Sequence, residues 1–164
     1  MTKHFFLFTL LLVAGLFPAE VRAELRAGAA KVDVTPQTLP VIRNGGFIEA
    51  SDSKVVDPLH ARCLVLDDRV TRLAIVVVDS CMTPRPLLDE IKQLASERSG
   101  IRPDRMLISA THTHSAPSIM YNMVAADPTY VPYLRLKVAE AIITAAGNLE
   151  PARAGWGSLQ APRF

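Results

Sequence analysis

The fold is decided by residues 72–79, which read RLAIVVVD and contain six consecutive apolar side chains. A strand that is apolar on both faces is typical of the centre of a covered sheet. Apolar residues then recur at helical spacing over residues 86–98, and a further apolar strand is predicted at 106–110. Together these segments predict a β-α-β unit with parallel strands and a right-handed crossover.

The rest of the chain extends this unit on both sides. The other predicted elements are an opening strand from Gly28 to Thr35 and Pro36, a strand at 61–66, a helix over 130–147 and a short strand over 152–157. Residues 37–60 have little periodicity and are expected to form a long loop, with a turn at 44–46. We therefore expect an α/β fold with a mixed, mostly parallel sheet and flanking helices.

The two cysteines are expected to remain free thiols. The strands 61–66 and 72–79 predict a hairpin in which Cys63 faces a residue near position 76. Cys81 then lies roughly 16 Å away at the rise of a strand. A disulfide needs Cα atoms within about 7 Å, so the predicted register excludes one.

The N-terminus has the layout of a secretory signal peptide. Lys3 and His4 precede an apolar run over residues 5–17, and small residues then lead to a cleavage site after Ala23. A helix that spans a bilayer needs about 20 residues, and this run is shorter. The alternative is an uncleaved membrane anchor. We expect residues 1–23 to be removed, residues 24–164 to belong to one domain, and the product to be secreted or periplasmic.

Composition excludes one class of partner. The net charge is +2, Lys and Arg are scattered along the chain, and there is a single Trp. This pattern does not indicate a nucleic-acid-binding surface.

The most informative motif is THTHSAP at residues 111–117, directly after the strand at 106–110. Side chains at i and i+2 of an extended backbone point to the same side, so His112 and His114 are expected side by side. Imidazole nitrogens in this arrangement suit a divalent metal such as zinc. Asp79 ends the parallel neighbouring strand and is expected at the same sheet edge, where open α/β sheets bind ligands.

Ordinary explanations exist for each of these residues. A His-x-His pair can be part of a plain loop, and Asp79 can be a turn former, a direct ligand or a carboxylate that orients a ligand histidine. His60 begins a strand and can be either a ligand or a solvated loop residue. A catalytic zinc normally has three protein ligands and a water, so two donors on one strand end do not complete a site.

Residues 109–117, SATHTHSAP, closely resemble the Thr-His-Thr-His-Ser-Gly-Pro signature of the neutral/alkaline (non-lysosomal) ceramidase family. Three other segments agree in order and spacing. Residues 28–36 resemble the family's opening Gly-x-x-x-x-Asp-x-Thr-Pro strand, residues 57–79 its early hairpin, and residues 151–157 its Arg-x-Gly-Trp-Gly strand. The resemblance covers nearly all of the chain beyond residue 23.

This resemblance implies a zinc-dependent hydrolase that cleaves the amide bond of ceramide to sphingosine and a fatty acid. His112 matches the metal-ligating first histidine of the signature. His114 matches the second, catalytic histidine, which lies beside the metal and hydrogen-bonds substrate or shuttles a proton. The cofactor implied is Zn²⁺, and the partners implied are a lipid or amide substrate and peripheral contact with membrane lipid.

The chain also departs from the family pattern. Ala116, Ser118 and Ile119 stand where the signature continues with glycines, which indicates a divergent branch. The family's catalytic domain is several times longer, and its remaining ligands come from later segments. We therefore expect an N-terminal portion of a larger catalytic domain that binds metal weakly and is inactive by itself. The alternatives are a non-catalytic exported α/β domain with remnant histidines, and a different metal-dependent hydrolase such as an esterase.

Overall fold

A computed structural model describes residues 24–120 and 125–160. The strands are β1 (Arg26–Asp33), β2 (Val41–Arg43), β3 (Ala50–Asp52), β4 (His60–Asp67), β5 (Arg72–Val78), β6 (Met106–Ala110) and β7 (Glu150–Pro151), and the helices are α1 (Arg85–Ser99) and α2 (Tyr130–Gly147). The predicted signal peptide, residues 1–23, lies outside the described residues. Within the described part of the chain, none of the helices has the length and apolar character needed to cross a bilayer.

Five strands form one sheet in the order β6-β5-β4-β1-β7. The predicted β-α-β unit is present, since β5 and β6 are parallel and α1 connects them. The predicted hairpin register is also confirmed, because Cys63 pairs with Val76, and both cysteines are free and buried.

The α/β class and the mixed sheet are confirmed, but the expectation of a mostly parallel sheet is wrong. Three pairings, β1–β4, β1–β7 and β4–β5, are antiparallel, and β5–β6 alone is parallel. The reason is connectivity: a parallel pair needs a long crossover, and among the paired strands only β5 and β6 are joined by a helix.

Both helices cover the same face of the sheet. Alternate residues of the strands point to this face, including Val65 in β4 and Val76 in β5, and each is fully buried. The helices contribute Ile91 from α1 and Leu134 and Ile142 from α2 to the same core. The core therefore lies between the sheet and one helical layer.

The opposite face of the sheet is largely uncovered. Strand register places Ala29, Leu64, Ile75 and Leu107 in one row across β1, β4, β5 and β6. These residues are exposed, and Leu107 has a relative exposure of 62 %. We call this row the open face.

Two predicted connections differ from the structure. The loop over residues 37–60 contains a small antiparallel pair, β2 and β3, on either side of the predicted turn. The strand expected over 152–157 is wrong: regular pairing is limited to Glu150–Pro151, followed by one hydrogen bond from the Ala152 amide to the Leu25 carbonyl. Trp156 is 95 % exposed, so its side chain does not pack against the described residues and cannot hold this segment against the sheet.

Candidate metal centre

The carboxyl ends of β5 and β6 bring two loops together. The Thr111 amide donates to the Val78 carbonyl at 2.9 Å, which continues the parallel pairing beyond the last residue of β6. The segment after β5 contains Asp79 and Cys81, and the segment after β6 contains His112 and His114. Parallel pairing therefore places chemically active side chains from both segments at one sheet edge.

His112 is held in an unusual backbone conformation. Its φ is +62°, in the left-handed region that few residues other than glycine adopt. Its Nδ1 lies 2.8 Å from the Cys81 carbonyl oxygen. A carbonyl can only accept, so Nδ1 carries the proton and Nε2 of the neutral ring keeps a free lone pair. Ligand histidines commonly have this second hydrogen bond, because it fixes the tautomer and the ring orientation.

His114 lies next to His112, as the motif predicts. The two ring centroids are 5.1 Å apart, the planes are inclined at 70°, and both residues are exposed. The physical reason differs from the expected one. The strand has already ended at Ala110 and the backbone at His112 is left-handed, so the rings meet across a turn rather than along a pleat.

Cys81 completes a group of three possible metal donors, and sequence reasoning missed it. One donor atom each from Cys81, His112 and His114 lie within 4.8 Å of one another. Donor atoms around one tetrahedral zinc are about 3.3–3.8 Å apart at bond lengths of about 2.0–2.3 Å. The limit of 4.8 Å is wider than this spacing, so the three side chains are a candidate donor set. The placement of Cys81 just beyond β5, on the same edge as His112, was the available signal.

Asp79 and His60 pair with each other rather than with the motif. The Asp79 carboxylate accepts hydrogen bonds from the His60 amide at 2.9 Å and from the Arg62 guanidinium at 2.8 Å. The His60 ring nitrogen Nδ1 is 4.0 Å from the same carboxylate. Among the described residues, Asp79 has no hydrogen bond to either motif histidine. The antiparallel start of β4 explains why His60 lies on this edge.

The β2–β3 hairpin fixes the segment that follows the histidines. The Asn44 amide donates to the Ala116 carbonyl at 3.0 Å, and the Ser118 amide donates to the Ile42 carbonyl at 2.7 Å. Asn44 is buried, and its Nδ2 has no hydrogen-bond partner among the described residues. Its Oδ1 accepts from the Gly45 amide at 2.7 Å. The turn predicted at residues 44–46 is therefore part of the site's support.

A cleft of about 580 Å³ adjoins the histidines. It is lined by Thr113 and Ser115, on either side of His114, and by the ion-paired side chains of Arg43 and Asp52. The histidine rings themselves are beside this cleft and do not line it. The apolar part of its wall consists of Pro36, Leu39, Val41, Val55, Val56, Leu59, Ala116 and Pro117. This volume is in the range of small-molecule sites.

Comparisons with known proteins support the fold. No family model and no curated protein matches the sequence. Among solved structures, the neutral ceramidase from Pseudomonas aeruginosa matches with a TM-score of 0.69 and 23 % identity, over 79 % of this chain and 22 % of that chain. A ceramidase complexed with C2 matches with a TM-score of 0.67 and 22 % identity over the same shares. The chain thus spans about a fifth of these proteins, and its resemblance to the neutral ceramidases is confirmed at the level of the fold.

Proposed function

We propose that this chain supplies the histidine part of the active site of an exported, zinc-dependent amide hydrolase of the neutral ceramidase type. The substrate is an N-acylsphingosine, and the products are sphingosine and a fatty acid. The observation that carries the proposal is the pair of adjacent, exposed imidazoles at the carboxyl edge of β5 and β6. The shared fold with ceramidases supports it.

In this proposal His112 holds the metal through Nε2. Its Nδ1 is already bonded to the Cys81 carbonyl, which leaves Nε2 as the free donor atom. The chemistry that zinc supplies in such sites is polarisation of a carbonyl and activation of a water molecule. His112 is thus the ligand whose tautomer and direction the fold sets before any metal arrives.

His114 acts on the substrate. Amide hydrolysis breaks the C–N bond, adds hydroxyl to the acyl carbon and requires a proton on the departing amine nitrogen. An imidazole beside the metal ligand can carry that proton, because its ordinary pKa is close to neutral pH. The adjoining cleft has an apolar wall suited to the hydrocarbon part of a lipid, and Thr113 and Ser115 offer hydroxyls to its polar part.

We also propose that the chain is exported through the signal peptide at residues 1–23. A lipid substrate in an extracytoplasmic compartment requires peripheral contact with membrane lipid. The test is mass spectrometry of the exported product: cleavage after Ala23 gives an N-terminus at Glu24. An N-terminus at Met1 in the exported product contradicts the cleavage site.

The test of the activity uses the natural gene product that contains this chain. We expect it to release fatty acid from ceramide in a zinc-dependent manner. His112→Ala should remove both zinc and activity, whereas His114→Ala should keep zinc and lower activity by about 10²–10⁴-fold, the usual contribution of a proton-transfer group. His60→Ala is the matched control, because its ring lies at the same edge but pairs with Asp79.

Three results would contradict the proposal. Stoichiometric zinc in His112→Ala would show that His112 is not a ligand. Hydrolysis of simple esters without hydrolysis of ceramide would assign the site to an esterase instead. Loss of zinc from His60→Ala alone would move the metal site to the Asp79 side of the sheet edge.

A further inference from the structure

Asn44 lies where the β2–β3 hairpin meets the histidine motif. It directly follows the last residue of β2 and is only 6 % exposed. Its backbone amide donates to the Ala116 carbonyl at 3.0 Å, two residues after His114. Its side-chain Oδ1 accepts a hydrogen bond from the Gly45 amide at 2.7 Å. One residue therefore fixes both the segment that follows His114 and the backbone of Gly45.

Gly45 passes this restraint on to the imidazole. A Cβ added at Gly45 would overlap Cα, Cβ and Cγ of His114, so the Gly45 backbone packs directly against that residue. A rotation of the Gly45 backbone that changes this contact also breaks the hydrogen bond to Asn44 Oδ1. Because His114 is exposed, a backbone contact of this kind strongly limits the positions that its ring can take.

The other end of the Asn44 side chain does not explain its presence by stability. Its Nδ2 is buried and has no hydrogen-bond partner among the residues that the structure describes. A buried donor without a partner is unfavourable, and an apolar side chain of similar size removes that cost. The contribution that an amide makes here, and that an apolar side chain does not, is the acceptor Oδ1.

We propose that Asn44 is the residue that positions His114: its Oδ1 fixes the Gly45 backbone, and that backbone holds the imidazole. This inference rests on the proposed function, in which His114 carries a proton to the departing amine and His112 holds the metal. A displacement of about 1 Å at a reacting group can lower a rate by about 100-fold. Asn44 thus acts on the proton-transfer step and leaves zinc binding by His112 unchanged.

Two substitutions separate the parts of the side chain. Asn44→Leu removes Oδ1 and Nδ2 together, whereas Asn44→Asp keeps an acceptor for the Gly45 amide. In the natural gene product that contains this chain, Asn44→Leu should lower kcat for ceramide by about 10–100-fold, with KM changed by less than about twofold and zinc retained. Asn44→Asp should keep kcat within about threefold of the wild type. Asn148→Leu is the matched control, because the Asn148 side chain also bonds to the backbone, at the Ala29 carbonyl beyond the end of α2.

A spectroscopic measurement tests the positioning without turnover. Histidine-selective isotope labelling gives few nuclear magnetic resonance signals, because the sequence contains four histidines. In the wild-type chain we expect a nuclear Overhauser effect between the His114 ring and the α-protons of Gly45. Asn44→Leu should shift the His114 ring signals and weaken this effect, whereas the His60 signals stay in place as an internal reference.

Each outcome decides the proposal. Absence of the Overhauser effect between Gly45 and His114 in the wild type overturns it, and this result needs no variant to fold. Full kcat in Asn44→Leu, with circular dichroism checking that the variant is folded, overturns it as well. Equal losses of kcat in Asn44→Leu and Asn44→Asp reject Oδ1 as the group responsible.

The same measurements distinguish this proposal from the proposed function. Loss of zinc together with activity in Asn44→Leu rejects the positioning role and makes Asn44 a support of the metal ligand. If the natural product releases no fatty acid from ceramide but the His114 signals still respond to Asn44→Leu, the proposed function is rejected. Asn44 then remains the residue that positions this ring.

Discussion

Gly45 is in direct contact with His114. Its φ is +96°, and a Cβ added there would lie 2.4 Å from Cγ of the His114 ring. Real Cβ atoms do not approach other atoms this closely, so the absence of a side chain at Gly45 is what allows the ring its position. A glycine in the loop between β2 and β3 thus determines where the second imidazole of the motif stands.

We expect Gly45→Ala to displace His114 and, in the natural gene product that contains this chain, to lower ceramide hydrolysis by about tenfold or more without loss of zinc, the size of effect seen when supporting groups are lost. The strained backbone should also cost about 1–3 kcal/mol of stability. Fatty-acid release from ceramide measures the first effect and urea unfolding the second. Gly155→Ala is the control, because nothing lies within 4 Å of the added Cβ. Equal activity in both variants would show that Gly45 does not position the ring.

Asp67 stabilises the end of β4 in a pH-dependent way. The guanidinium of Arg72 donates to its carboxylate at 2.8 Å, and the Arg69 amide donates at 2.7 Å. These contacts hold the pKa of Asp67 below its ordinary value, with the Arg72 hydrogen bond as the larger cause. Because the folded state binds the proton less readily than the unfolded state, the stabilisation is complete above the ordinary pKa of about 4. It is lost as the pH falls through the lowered value.

Asp67→Asn should therefore unfold more easily than the wild type at pH 7, and the difference should shrink as the pH is lowered from 5 to 2. Urea unfolding at several pH values measures both free energies of unfolding. Asp89→Asn serves as the control, since Asp89 is an exposed partner of Arg85 and such pairs contribute little. If the difference in free energy of unfolding between wild type and Asp67→Asn grows toward low pH, folding does not lower the pKa of Asp67.

Residue patterns alone found part of the candidate site. His112 and His114 could be predicted because the motif directly follows an apolar strand, and both are at the expected edge. The sequence analysis considered Cys81 as a disulfide partner of Cys63 and not as a metal donor. Like Asp79, however, Cys81 lies within a few residues of the end of β5, at the same sheet edge. The support from Gly45 could not be predicted, because it depends on how a loop far away in sequence folds against the motif.

At the scale of elements, α2 depends on Asp127. This buried carboxylate accepts hydrogen bonds through Oδ1 from the amides of Thr129 and Tyr130, both at 3.0 Å. Burial raises the pKa of Asp127, but the hydrogen bonds from Thr129 and Tyr130 outweigh it and keep the pKa below its usual range. The Asp127 amide donates to the Ser118 carbonyl, so the start of the helix is tied to the segment after the histidines.

Asp127→Ala should lower the free energy of unfolding by about 0.5–2 kcal/mol, because two helix-start amides lose their acceptor. Urea unfolding followed by circular dichroism checks this value. Asp89→Ala in α1 is the comparison, and its effect should stay below about 0.5 kcal/mol since it removes an exposed ion pair. Equal losses in the two variants would mean that Asp127 has no capping role.

Long periodic elements were predictable and short ones were not. The helix predicted over 130–147 coincides with α2, and the strand predicted over 106–110 coincides with β6. The strands β2 and β3 have three residues each, too few for a pattern of alternation. The strand expected over 152–157 failed because the paired part is only Glu150–Pro151.

At the scale of the whole molecule, the sheet has one covered and one uncovered side. The hydrophobic run of β5 predicts burial on both faces, yet Val76 is fully buried while Ile75 is 37 % exposed. Both helices were identified from sequence, but their packing on the same face follows from tertiary contacts that periodicity does not encode. In the part of the chain that the structure describes, β5 is therefore buried on one face only, although both of its faces are apolar.

The open face is expected to make this chain self-associate. Leu107 is 62 % exposed on edge strand β6, next to Ile75 in the strand register. An apolar row on a sheet with an exposed edge favours contact between copies.

Leu107→Lys should weaken self-association by about tenfold, because burial of one leucine side chain is worth about 1.5–3 kcal/mol. Sedimentation velocity over a range of protein concentrations measures this, and Val70→Lys, at a 91 % exposed turn position away from the open face, adds the same charge as a control. If Val70→Lys reduces association as much as Leu107→Lys does, net charge rather than the open face controls assembly.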